Sequence, residues 1–178
     1  MWEISKEFNF SAGHRVWSQQ LNSEYSLDDN CVCRHLHGHE YKINVTLSGD
    51  ELTRGMLTDF KHLNWFKKFL DDTIDHKFII DKNDPIFDTI IPDFKAFNHD
   101  NYIFEKYYWK INPQKYILYI DHLKELYESY VVVDFIPTSE NLSKWLFDIV
   151  KEAMSKIDVK VSKLELWETP KSKSVYYE

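Results

Sequence analysis

An α+β fold, with antiparallel strands carrying helices on one face, is what these 178 residues predict. Three observations carry that expectation. Segments near the start, the first third and the end alternate apolar with polar residues, as half-buried strands do. Two segments between them repeat apolar residues at helical spacing. The resulting order is strand, strand, helix, helix, strand.

The first strand covers residues 2–10, with Trp2, Ile4, Lys6, Phe8 and Phe10 on one face and Glu3, Ser5, Glu7 and Asn9 on the other. If the extended path runs on through Ser11-Ala12-Gly13, His14 joins the Phe8/Phe10 face. Residues 15–36 are polar and read as a loop. The next strand covers about 37–48, with Tyr41, Ile43, Val45 and Leu47 inward and Gly49-Asp50 at its end. Phe60, Leu63, Phe66, Leu70 and Ile74 then predict a helix, with Thr58 or Asp59 as N-cap and Asp75-His76 at its end. A second helix follows Pro137-Thr138-Ser139-Glu140-Asn141. Its stripe is Leu142, Trp145, Leu146, Ile149, Val150, Ala153, Met154 and Ile157; Thr138 is the predicted N-cap, and Glu140 suits the positive end of the dipole. The closing strand carries Val159 and Val161, then Leu164, Leu166 and Glu168, and the parity change at Ser162-Lys163 predicts a bulge.

Residues 81–133 do not fit this compact plan and read as an insertion within a single domain spanning 1–178. Tyr102, Phe104, Tyr107, Tyr108 and Trp109 cluster there, and Ile117, Ile120, Leu123 and Leu126 predict a helix around 115–129. Packing or a subunit contact is its expected role, since aromatic stripes usually mean burial.

A net charge of -7 and a pI near 5.6 argue against a general nucleic-acid binder and give membrane-surface binding no support. No apolar run approaches a transmembrane span, and the N-terminus lacks a signal-peptide pattern. Cys31 and Cys33 are too close to bridge readily, which points to a reducing, cytoplasmic setting.

The chemistry concentrates in Cys33-Arg34-His35-Leu36-His37-Gly38-His39. His37 and His39 share the parity of the inward apolar set, so both imidazoles point the same way, as a shared metal requires. With His14 from the neighbouring strand they make three neutral imidazoles and one open position, the layout of a catalytic zinc site. Cys33 is either the fourth ligand of a closed structural site or a thiol beside the metal acting as a base. Asp75-His76 is a candidate base held by a carboxylate, though such pairs are common by chance. Glu168 ends a strand on its apolar face and needs a partner there. That partner is an amidine-like ring edge, such as an amino-pyrimidinone, or a buried Lys or Arg.

Taken together, Phe10-Ser11-Ala12-Gly13-His14, Cys33 to Tyr41, Gly55-Met56-Leu57-Thr58-Asp59-Phe60, Ile74-Asp75-His76, Pro137 to Asn141 and Trp167-Glu168-Thr169 resemble the 6-pyruvoyltetrahydropterin synthase / 6-carboxytetrahydropterin synthase family. The ordered set covers most of the chain except 81–133. The resemblance implies the T-fold, an antiparallel sheet with two helices on one face, joined into trimers that stack as homohexamers with active sites between subunits. It makes His14, His37 and His39 zinc ligands, Cys33 the catalytic thiol, Asp75 and His76 its partner dyad, and Glu168 the pterin anchor, helped by Thr138. The implied substrate is 7,8-dihydroneopterin triphosphate, and the implied reaction that of a lyase.

The branch is set by the cysteine. Enzymes of the 6-carboxy branch, which feeds the 7-deazaguanine (queuosine) pathway, carry Cys, three residues, then His-Gly-His, and Cys33 fits. The 6-pyruvoyl branch carries five residues there, and Cys31 fits. The loop's form favours the carboxy branch and Cys33. A third branch, which cleaves dihydroneopterin, often has Glu in the cysteine's place, and Cys33 argues against it. The long insertion departs from the family pattern near the expected pocket rim. Because the protein is acidic and the substrate a triphosphate, Arg15 and Arg34 are candidate local cations. A reading from another class, a non-catalytic zinc or pterin-binding module on the same fold, has Cys33 closing the metal shell.

Overall fold

The computed structural model describes residues 1–26, 28–95 and 97–178. Leu27 of the predicted loop and Ala96 of the predicted insertion lie outside them. In chain order the elements are β1 (Trp2–His14), β2 (His37–Gly49), α1 (Asn64–Thr73), β3 (Lys77–Asp81), α2 (Phe87–Ile90), β4 (Tyr102–Phe104), β5 (Trp109–Ile111), α3 (Asp121–Glu128), β6 (Tyr130–Val133), α4 (Ser139–Ser155), β7 (Lys160–Thr169) and β8 (Ser172–Tyr177). The chain forms two compact units: Met1–Ala12 with His39–Asp75 and Ser139–Glu178, and Gly13–Gly38 with His76–Thr138.

The first unit holds strands in the order β1-β2-β7-β8, with β2/β7 and β7/β8 antiparallel. Tyr41, Ile43, Val45 and Leu47 of β2 are fully buried, as their alternation demands. On β1, Phe8, Phe10, Ala12 and His14 are buried while Trp2 is exposed, so the inward face fades toward the N-terminus. Thr46 stands opposite Lys163 and Leu47 opposite Val161, which leaves Ser162 as the extra residue of the predicted bulge. A 3₁₀ turn, Phe60–Leu63, precedes α1, and the Asp59 side chain caps it by accepting from Lys61 N. α4 packs on β7 and β8 and buries Leu142, Leu146, Phe147, Ile149, Val150 and Met154. Burying each large aliphatic side chain stabilises the unit by about 1.5–3 kcal/mol. Ile157, expected in that stripe, lies past the helix end and is exposed, whereas Phe147 packs on Tyr176 with ring centroids 5.0 Å apart. Tyr176 belongs to β8, a strand not foreseen because its hairpin turns at Pro170-Lys171 without a glycine signal.

In the second unit the order is β4-β5-β6-β3, and β6 runs parallel to β3 but antiparallel to β5. A parallel pair adds to the antiparallel plan. Its cause is visible in two unbroken apolar runs, Phe78-Ile79-Ile80 and Val131-Val132-Val133, which suit strands buried on both faces. Such a pair needs a long crossover, and residues 82–129 supply it. Phe87, Ile91, Phe94, Tyr102, Ile111, Tyr116 and Tyr127 of that crossover form a core with Ile80 of β3 and Val132 of β6. The predicted helix over 115–129 shrinks to α3, and Ile117 and Ile120 of its stripe are 56% and 68% exposed. Tyr116 and Tyr127 take the inward positions instead. Tyr127 sets its ring edge-on to Phe94 at 4.8 Å and donates its hydroxyl to Asp93, so one side chain supplies both apolar area and a satisfied polar tip.

Candidate metal centre and active site

β1 ends at His14, and β2 opens with His37-Gly38-His39. Strand geometry therefore delivers three imidazoles by backbone alone. One ligand atom from each of His14, His37 and His39 lies within 4.8 Å of the others, a group that could hold a metal ion. Two rings are oriented by carbonyls. His14 Nδ1 is 2.6 Å from Pro137 O, and His37 Nδ1 is 2.8 Å from His35 O. A carbonyl only accepts, so Nδ1 carries the proton in each neutral ring and Nε2 keeps its lone pair, the form that ligates a cation.

Gly13 is what lets the end of β1 come so close. A Cβ built there would stand 2.5 Å from the Phe78 ring and 3.4 Å from His37 O. Gly13→Ala is therefore expected to cost about 1–3 kcal/mol by overpacking. Thermal unfolding checks this, and an unchanged Tm would contradict it.

Glu168 sits near the end of β7, where Trp167 pairs with Lys173 but Thr169 pairs with Ser172. That register shift leaves Glu168 as an extra residue, and bulges of this kind re-aim side chains. Its Oε1 is 3.9 Å from His39 Nε2. Burial raises the Tyr41 phenol well above its ordinary pKa, and the Glu168 charge raises it further, so Tyr41 stays protonated in this setting.

Cys33 lies in a 3₁₀ turn, Val32–Arg34, and is half-buried and unbridged, as is Cys31. Cys33 N donates to Gln19 Oε1 at 3.0 Å, and Cys33 O accepts from Val16 N at 2.7 Å. Asp75-His76 falls in the turn between α1 and β3, because the helix ends at Thr73. Asp75 Oδ1 accepts from Ser11 N at 2.7 Å. His76 is exposed at φ 58°, a left-handed conformation that costs a non-glycine residue energy and recurs at functional sites. Thr138 occupies the position before α4. Arg15 is paired within the protein: its Nε is 3.0 Å from Asp84 Oδ2, and that carboxylate is 1% exposed. Arg34 is exposed and donates to Gln19 O.

The sequence model of the family described as 6-pyruvoyl tetrahydropterin synthase matches residues 3–178. The chain belongs to that family. It is 37% identical over 188 residues to a 6-carboxy-5,6,7,8-tetrahydropterin synthase of Aquifex aeolicus, covering 99% of this chain and 98% of the relative. A crystal structure of an uncharacterized Wolinella succinogenes protein superposes with a TM-score of 0.94 at 46% identity, over 99% of this chain and 97% of the other. The 6-pyruvoyl tetrahydropterin synthase of Caenorhabditis elegans superposes with a TM-score of 0.56 at 22% identity, over 99% and 94%. The last likeness shows the fold alone, the expected T-fold. No helix among the described residues of this family member is long and apolar enough to cross a membrane. The groups that sequence reasoning missed here are main-chain: the carbonyls of His35 and Pro137 and the amide of Ser11. A backbone atom leaves no residue-type signal, although Pro137 stood beside a residue already singled out.

Proposed function

We propose that this chain is a zinc-dependent 6-carboxy-5,6,7,8-tetrahydropterin synthase. It acts on 7,8-dihydroneopterin triphosphate, releasing acetaldehyde and triphosphate, in cytoplasmic 7-deazaguanine (queuosine) biosynthesis. The observation that carries it is the cluster of His14, His37 and His39, with two Nδ1 atoms committed to carbonyls. The donor set suits zinc: neutral imidazole is a preferred ligand, and three leave a position open. Full-length likeness to the Aquifex protein supports the carboxy branch.

Bound there, zinc supplies Lewis acidity that lowers the pKa of substrate hydroxyls. The remaining roles belong to side chains. Glu168 accepts from the amino-pyrimidinone edge of the pterin, with Thr138 assisting, which orients the ring. Cys33 and His76 move protons on opposite sides of the substrate side chain, and Asp75 orients His76. The exposure of His76 suits a site completed between subunits of a homo-oligomer, a trimer or hexamer. The chain is read as one T-fold domain with 81–133 inserted.

Glu168→Gln is expected to raise KM by about 10- to 100-fold, since a charge-assisted bond is worth about 1.5–3 kcal/mol. Steady-state kinetics read this, and an unchanged KM would remove Glu168 from the pocket. Mass spectrometry of products from the zinc-loaded protein tests the whole reading. 6-Carboxytetrahydropterin with acetaldehyde is the expected result. 6-Pyruvoyltetrahydropterin would move the chain to the other branch, and no turnover by folded, zinc-replete protein would overturn the substrate assignment.

A further inference from the structure

The segment that follows His14 is tied in two directions. Arg15 Nε lies 3.0 Å from Asp84 Oδ2, and Trp17 Nε1 donates to Asp81 Oδ2 at 3.0 Å. Val16 N donates to Cys33 O at 2.7 Å, and Gln19 Oε1 accepts from Cys33 N at 3.0 Å. Gln19 O also accepts from Arg34 Nε at 2.7 Å. One short stretch therefore holds two aspartates with Arg15 and Trp17, and the thiol turn with Val16 and Gln19.

Those aspartates are themselves fixed. Asp81 Oδ1 accepts from Asn83 N at 2.9 Å and from Asn83 Nδ2 at 3.1 Å. Asp84 Oδ1 accepts from Ile86 N at 2.9 Å. Both residues are buried. A buried carboxylate persists only where it is paired and hydrogen-bonded, so neither can move without losing its partners. Asp81 closes β3 and Asp84 precedes α2, which puts both at the very start of the segment that departs from the family pattern.

We propose that Asp81 and Asp84 are positioning residues for Cys33, setting the thiol turn through Trp17 and Arg15. This rests on the reading of Cys33 as a proton-moving thiol. It gives the inserted segment a role in the reaction in addition to packing: its first residues are a brace for the turn that carries the thiol. Small displacements of a reacting group lower rate steeply without a matching change in ground-state binding.

Trp17→Phe is the primary test, because it deletes one N–H and keeps an aromatic ring. Asp81→Asn is the second variant. Asp84→Asn is avoided, since it strips the partly buried Arg15 guanidinium of its counter-charge. All are made in a Cys31→Ala background, so that Cys33 is the one thiol. Five quantities are read: kcat and KM with 7,8-dihydroneopterin triphosphate, zinc content, Tm, and the rate of Cys33 alkylation by iodoacetamide at fixed pH. The expected result is a kcat lowered about 10- to 100-fold with KM within about twofold. Alkylation should change by at least about fivefold, since thiol reactivity follows its surroundings, while zinc content is unchanged. Folded Trp17→Phe and Asp81→Asn proteins with parental kcat and alkylation rate would overturn the proposal. Alkylation needs no substrate: if the parent fails to turn over, the pterin reading falls and the brace is judged on the thiol rate alone.

Discussion

Cys33→Ala is expected to lower kcat by about 10²- to 10⁴-fold, the range for losing a positioned proton-transfer group, while zinc content and Tm stay close to wild type. The substitution removes one sulfur from a half-buried position whose main chain is already held by Val16 and Gln19. Little packing is lost, so the effect falls on chemistry. Cys31→Ala is the contrasting variant. Cys31 caps the same turn but lines a surface pocket with Gln20, Leu21, Ser23, Ser26, Asp29 and Arg34. Its removal should leave kcat within about twofold, as for a side chain outside the proton path. Steady-state rates with zinc-loaded variants decide it. Equal loss from both, or loss from Cys31→Ala alone, would transfer the role or move the chain to the pyruvoyl branch.

His37→Ala is expected to lower zinc affinity by more than about 100-fold, the upper end of what losing a mere outer partner of a ligand costs, and to remove turnover with it. His37 is the cleanest of the three proposed ligands to replace. His14 is fully buried and bonded to Pro137, so its loss would leave a cavity, and His39 lies beside Glu168, so its loss would also disturb the proposed pterin anchor. His37 is half-buried, and its Nδ1 lies 2.8 Å from the nearby His35 O. Metal content by atomic spectroscopy and kcat after dialysis against trace zinc provide the readout. A His37→Ala protein that keeps one zinc per chain would show that the cluster is not the metal site.

Much of the site was legible in the sequence because strand parity is rigid. Tyr41, Ile43, Val45 and Leu47 define β2 and with it the inward direction of His37 and His39, and on β1 the same logic carries His14 to the Phe8/Phe10 face. The bulge at Ser162 was equally visible, since a shift of one residue exchanges the faces of a strand. Periodicity failed where its period is absent. Phe78-Ile79-Ile80 and Val131-Val132-Val133 do not alternate, because strands of a parallel pair are buried on both sides, so alternation does not reveal β3 and β6. It misled around 115–129, where Ile117 and Ile120 have helical spacing but Tyr116 and Tyr127 fill the core. Arg15 shows a third limit. A cation beside a ligand motif suggests a phosphate contact, and only the fold shows Asp84 already against it.

The proposed function requires an open centre of three imidazoles with the thiol of Cys33 outside the metal shell. Zinc K-edge X-ray absorption on the zinc-loaded protein tests it most directly, because zinc–nitrogen and zinc–oxygen distances of about 2.0–2.2 Å separate cleanly from zinc–sulfur at about 2.3 Å. The expected result is nitrogen and oxygen alone around the zinc, unchanged in Cys33→Ala. A sulfur scatterer that disappears in Cys33→Ala would contradict it and make the centre a closed, structural one.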